Sequence, residues 1–126
     1  MKKVMVFGTF DGLHDGHRAF LREARAHGDY LIAVVPADRI VEMLKGRLPK
    51  VNLAERFDNL NIEDKVDEVV ASDEKPGTWE IVKKMKPEVI AIGYDQHALK
   101  EDLDNHLGEL GYTPEIKVMH HYEKND

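Results

Sequence analysis

Three short runs decide what this chain can fold into: KVMVF from Lys3, YLIAVV from Tyr30 and EVIAI from Glu88. Each is a continuous, β-rich apolar stretch, not an alternation of apolar and polar residues. A strand of that kind has both faces covered, as inside a parallel sheet. Two weaker runs, VDEVVA from Val66 and EIKVM from Glu115, fit further strands.

The segments between the runs carry helical spacing. Asp15–His27 brings His17, Phe20, Leu21 and Ala24 to one face, and Gly28 is placed to stop it. Ala37–Lys45 does the same through Ile40, Val41 and Leu44. Asn52 and Glu55 fit a capping box for a helix with Leu53, Phe57 and Leu60. Thr78 is a candidate cap for WEIVKKMK, and Trp79 reads as a core residue. Leu99, Leu103, Leu107 and Leu110 form one stripe of a helix from His97 to Leu110, closed by Gly111. The resulting order, β-α-β-α-α-β-α-β-α-β, predicts an α/β fold: a Rossmann-like parallel five-stranded sheet with helices on both faces. No repeat, low-complexity tract or linker divides residues 1–126, so one domain is expected.

Composition removes several functions. The net charge is −6, without the basic footprint of a general nucleic-acid binder. There is no cysteine, hence no disulfide, thiolate metal site or cysteine nucleophile. The apolar start MKKVMVFG is too short for a signal sequence, and no stretch approaches the roughly 20 apolar residues of a membrane span. A cytoplasmic protein is the expectation.

Two polar clusters follow strands. GTFDGLHDGH spans Gly8 to His17 after the first, and GYDQH follows the fourth from Gly93. Ligands of open parallel sheets collect at strand carboxyl ends, near the point where strand order reverses. If those two strands are neighbours, both clusters face one crevice. Gly8 permits a tight turn and close approach of a ligand. Gly16 falls in the first helical turn, where free amides and the helix dipole favour a phosphate. His14 and His17 flank it and can point at the same anion. Two imidazoles with free amides suit a phosphorus centre that gains negative charge in its transition state. A helix cap with surface histidines is the plainer alternative. Zinc ligation by His14 and His17 is another, but no third ligand lies nearby in sequence.

GTFDGLHDGH resembles the GTFDxxHxGH signature of the cytidylyltransferase-like nucleotidyltransferases. The resemblance continues through GDYLIAVVPAD, KGRLPKVNLAER, VDEVV and PEVIAIGYDQ. It implies transfer of a nucleotidyl group from a nucleoside triphosphate to a phosphate or hydroxyl acceptor, with release of pyrophosphate. KGRLP, AER and IGYDQ are most similar to the archaeal-type FAD synthases, which join ATP to FMN. The glycerol-3-phosphate cytidylyltransferases, which use CTP, are the nearest alternative. By position, His14, His17 and Lys45 match catalytic residues. Gly8, Thr9, Phe10, Gly16, Arg56, Gly93 and Asp95 match nucleotide-binding ones, with Thr9 and Phe10 acting through their backbone. Asp11 matches an aspartate that orients His17, caps the turn or helps hold Mg²⁺. The resemblance also implies Mg²⁺ as cofactor and a homodimer.

One departure stands out. The family carries a second signature, similar to ISST, after the fifth strand, where it opens a last helix and binds phosphates. Here the fifth strand runs into MHHYEKND. The expected domain lacks that helix within this sequence: either the sequence is a piece of a longer chain, or His120, His121, Tyr122 and Lys124 stand in as substitutes. Tyr122 is the candidate for contact with the base. Hydrogen bonds to charged groups contribute about 1.5–3 kcal/mol each, so a nucleotide-binding module with little turnover is the further alternative.

Overall fold

The structure is a computed structural model that describes residues 1–121. Tyr122 and Lys124, singled out above, lie outside the described residues. The elements run β1 (Lys3–Phe7), α1 (Asp15–Arg25), β2 (Tyr30–Val35), α2 (Asp38–Lys45), α3 (Leu53–Asn61), β3 (Glu68–Ala71), α4 (Glu80–Met85), β4 (Val89–Ile92), α5 (His97–His106), a 3-10 turn (Leu107–Glu109) and β5 (Glu115–Val118). All strand pairings are parallel, and the sheet order is β3-β2-β1-β4-β5. β1 lies between β2 and β4, so the strand order reverses there.

Side chains of adjacent strand residues point to opposite faces, and the core follows that rule. Val4, Val6, Leu31, Ala33, Val35, Val89 and Ala91 pack with Leu21 and Ala24 of α1 and Leu60 of α3. Met5, Ile32, Val34, Ile90 and Ile92 face the other way, onto Trp79, Val82, Leu103 and Leu110. The central strands are apolar on both faces because both are covered. β3 and β5 are the sheet edges, less buried, and their sequences mix in charge accordingly.

Two local expectations change, at Thr78 and at the end of the last helix, while Trp79 keeps its expected core place. Thr78 does not cap α4: its hydroxyl bonds Asp73 and the Lys75 carbonyl, while Asp73 Oδ1 accepts from the Ile81 amide at 2.9 Å. Trp79 takes a left-handed φ of 56° at the helix entrance, with its ring buried and its indole N–H donating to Asp102 at 2.8 Å. The last helix gives way to a 3-10 turn at Leu107, although Leu107 and Leu110 stay on the stripe that packs against the sheet. Gly28 admits no side chain, because a Cβ there would lie 2.5 Å from the Lys2 carbonyl oxygen. Among the described residues, no helix is long and apolar enough to cross a membrane.

Candidate active site

Because β1 and β4 are hydrogen-bonded neighbours, GTFDGLHDGH and GYDQH open onto one cleft at the carboxyl end of the sheet, about 990 Å³ in volume. Gly8, Thr9, Phe10, Asp11, His14, Gly16, His17, Lys45, Gly93 and Asp95 all line it. Asp95 does not cap α5; Gln96 occupies the cap position, without a side-chain cap.

The β1 loop is shaped by Phe10. Its φ is 51°, in the region that favours glycine, and its ring is 4% exposed. That ring meets His17 edge-on, with centroids 5.5 Å apart. A Cβ at Gly8 would come within 2.9 Å of it, so Gly8 is needed for the ring to lie there. The Thr9 carbonyl accepts from Arg56, and the Phe10 carbonyl accepts from the Gly12 amide at 3.0 Å. The carbonyls of Thr9 and Phe10 are thus engaged within the protein, which leaves their amides as the backbone groups for a ligand.

His14 is the N-cap of α1 and His17 is its third residue. They cap each other. The His17 amide donates to His14 Nδ1, and the His14 amide donates to His17 Nδ1, both at 3.3 Å. The rings stack with centroids 3.7 Å apart and planes 20° from parallel. A nitrogen that accepts a hydrogen bond carries no proton, so each neutral ring holds its proton on Nε2. The cap leaves the His14 N–H beside the first-turn amides of Asp15 and Gly16, which have no intrahelical partner, while the His17 ring lies against the Gly12 carbonyl. The helix-cap reading is what the structure shows, and the cap lies on the wall of the cleft.

Burial holds His17 below the ordinary histidine range, and the charges of His14, Lys45 and Arg18 act in the same direction against the Gly12 carbonyl. The sign for stability follows. A base whose folded pKa is depressed stabilises the fold above its unfolded pKa and loses that contribution as pH falls through the folded value. For catalysis, the acid limb of kcat/KM against pH is expected below the ordinary histidine pKa of 6.5. Protonation at Nδ1 also breaks the reciprocal cap. An acid limb above that value in a pH–rate profile would refute this.

Two sequence expectations are corrected. Arg56 does not reach the cleft. It is fully buried and grips the protein interior. Nε donates to the Val51 carbonyl at 3.0 Å, one terminal nitrogen donates to Thr9 at 3.1 Å, and the other donates to Pro36 at 2.7 Å and to Asp38 at 2.8 Å. It is a positioning residue that joins the β1 loop, the end of β2, α2 and the loop before α3. Asp11, in turn, does not hold His17 or cap the turn. Oδ2 accepts from the Lys50 amide at 2.9 Å and Oδ1 from the Val51 amide at 2.7 Å. Partial burial opposes ionisation, but these amides, with Arg47 and Arg56, keep its carboxyl below the usual range.

Through Asp11, the loop after α2 is tied to the β1 loop, and Arg47 and Lys50 join Lys45 on the cleft wall. Arg47 and Lys50 were legible only as part of KGRLPK. Gln96 carries no signal in the sequence beyond its place in GYDQH. It ties β4 to β1, its Oε1 accepting from the Gly93 amide at 2.7 Å and its Nε2 donating to the Phe7 carbonyl at 2.8 Å. Tyr94, His120 and His121 complete the far rim. Among the described residues no three His, Asp or Glu side chains converge as a metal cluster.

Several known proteins are similar to this chain. The family described as cytidylyltransferase-like matches residues 5–124. An FAD synthase of Pyrococcus horikoshii is 40% identical over 127 residues, covering 98% of this chain and 84% of that protein. One of Thermococcus sibiricus is 43% identical over 105 residues, 80% of this chain and 71% of its own length. Among solved structures, a lipopolysaccharide core biosynthesis protein of Thermoplasma volcanium superposes with a TM-score of 0.88 at 31% identity, covering 98% of this chain and 99% of its own. A pantoate–β-alanine ligase of Francisella tularensis, at 14% identity and TM-score 0.66, shares the fold. The agreement runs through both polar clusters and nearly the whole length, and the chain belongs to the cytidylyltransferase-like family.

Proposed function

We propose that this chain is an FMN adenylyltransferase, forming FAD and pyrophosphate from ATP and FMN within one domain spanning residues 1–126. The observation that carries the reading is the reciprocal His14–His17 cap at a helix N-terminus, with both histidines lining a cleft walled by Lys45, Arg47 and Lys50. The FAD synthases at about 40% identity supply the choice of substrates.

In this reading the FMN phosphate oxygen attacks the α-phosphorus of ATP. An O–P bond forms, the bond from the α-phosphorus to the bridging oxygen breaks, and pyrophosphate leaves with that electron pair. The attacking group is already an anion, so no general base is needed. The Nε2 protons of His14 and His17 neutralise charge on the reacting oxygens, and Lys45, Arg47 and Lys50 hold the leaving phosphates. The amides of Thr9, Phe10 and Gly16 complete the cradle, with Asp95 at the rim for the nucleoside. Among the described residues no three His, Asp or Glu side chains converge on one point, and Asp11 is the one carboxylate of the β1 loop beside the histidines. These residues do not form a Mg²⁺ cage, so Mg²⁺ fits as the counter-ion of the ATP substrate.

Pyrophosphate release should be assayed with ATP and CTP crossed against FMN and glycerol 3-phosphate. Release from ATP with FMN alone is expected. Release only from CTP with glycerol 3-phosphate, or nucleotide binding without release in any pair, would overturn the reading. The homodimer expected from the resemblance belongs to the same proposal and is checked by sedimentation.

A further inference from the structure

The far rim of the cleft holds aromatic surface that the phosphate chemistry does not use. Tyr94 follows β4 and is 46% exposed. His121 follows β5, and its ring lies 4.4 Å from that of Tyr94 at a 55° tilt. Neither residue belongs to the core on either face of the sheet. The pair is nevertheless held in place. The neighbouring His120 is bound twice by Glu23 of α1, through its amide at 2.8 Å and its Nδ1 at 2.6 Å. A contact spanning 97 residues of sequence thus fastens the segment after β5 across the rim. On the other side, the Gln96 bridge fixes the turn that carries Tyr94. An exposed aromatic pair anchored from both flanks, lining the same cleft as the histidine cap and the cationic wall, suits a planar ring attached to phosphates.

We propose that Tyr94 and His121 form a stacking subsite for a planar heteroaromatic ring of the substrate. The two rings to test, adenine and isoalloxazine, come from the FMN adenylyltransferase reading; the stacking itself does not depend on turnover. Aromatic stacking tolerates either ring, because each presents a π-face.

The test is calorimetric titration of the full chain with ATP, FMN and inorganic tripolyphosphate, which has no ring. Tyr94→Leu and His121→Leu remove the π-faces, and Tyr94→Phe keeps one. Tyr94→Leu should weaken a ring-bearing ligand by roughly five- to a hundredfold. Tyr94→Phe should stay within about twofold of the parent, and tripolyphosphate should be unaffected by any of the three. Loss confined to ATP assigns the subsite to adenine. Loss confined to FMN, with recovery of flavin fluorescence quenched in the parent, assigns it to isoalloxazine. Unchanged binding of both rings in both leucine variants would overturn the proposal. So would an equal loss of tripolyphosphate, or a parent protein that binds neither ring. A parent that binds a ring but releases no pyrophosphate from ATP with FMN would sink the adenylyltransferase reading and leave the stacking result standing.

Discussion

Arg56→Ala is expected to destabilise the fold by about 3–5 kcal/mol, lowering the thermal midpoint by roughly 10–20 °C. The ion pair alone does not account for so much, since the Asp38 side chain is 38% exposed and stays solvated without its partner. The cost comes from the carbonyls of Val51, Thr9 and Pro36, each left without its donor, and from the cavity vacated by a fully buried side chain. Native domains are stable by only about 5–15 kcal/mol, so much of the reserve would go. Arg56→Lys keeps the charge, but a single ammonium cannot span all these acceptors, and an intermediate loss is expected. Thermal and urea unfolding followed by circular dichroism give the measurement. A midpoint shift for Arg56→Ala within about 2 °C would contradict the buried geometry.

His17→Ala is expected to lower kcat for pyrophosphate release by about 10²–10³, with a smaller change in KM. In the proposed mechanism His17 donates through Nε2 where charge builds, and a donor that acts mainly in the transition state shows itself in kcat. The same substitution strips the His14 amide of its acceptor and the His14 ring of its stacking partner. The losses of His14→Ala and His17→Ala should therefore not multiply, and the double variant should lose less than their product. His17→Gln separates the two roles. Glutamine at the third helical position accepts the cap amide, so stability should return while the rate recovers only in part. Fully multiplicative single losses would show that the rings work independently.

How much of this was written in the residue order depends on whether a feature is local. β1 and β2 lie where their apolar runs end, because a strand buried on both faces leaves no polar residue to blur its limits. Asn52 is the cap of α3 for a similarly local reason: its side chain reaches only as far as the Glu55 amide. The start of α4 is not legible locally, because the acceptor comes from Asp73, outside the reach of a cap rule that favours Thr78. The two clusters of the cleft were legible as clusters, but their meeting depended on β1 and β4 being neighbours. Arg56 was the least legible. As a basic residue on a helix it suits a phosphate, and only the convergence of Thr9, Pro36 and Val51 around it gives the guanidinium a buried place. Asp11 misled in the same way, since its two partners lie some 40 residues on and are backbone amides.

That choice of partners has a consequence for how such a cleft can diverge. The strap that fastens the cationic loop to the β1 loop grips main chain, and every residue except proline offers the same amide. The side chains at positions 47, 48 and 50 are then free to change without loosening the loop that carries them. A lineage, or a protein engineer, can redraw the wall that meets the incoming substrate while the frame beneath it stays fastened. Only proline at position 50 or 51 would undo the strap, which makes those two sites the natural place to look for intolerance in a saturation library of the loop.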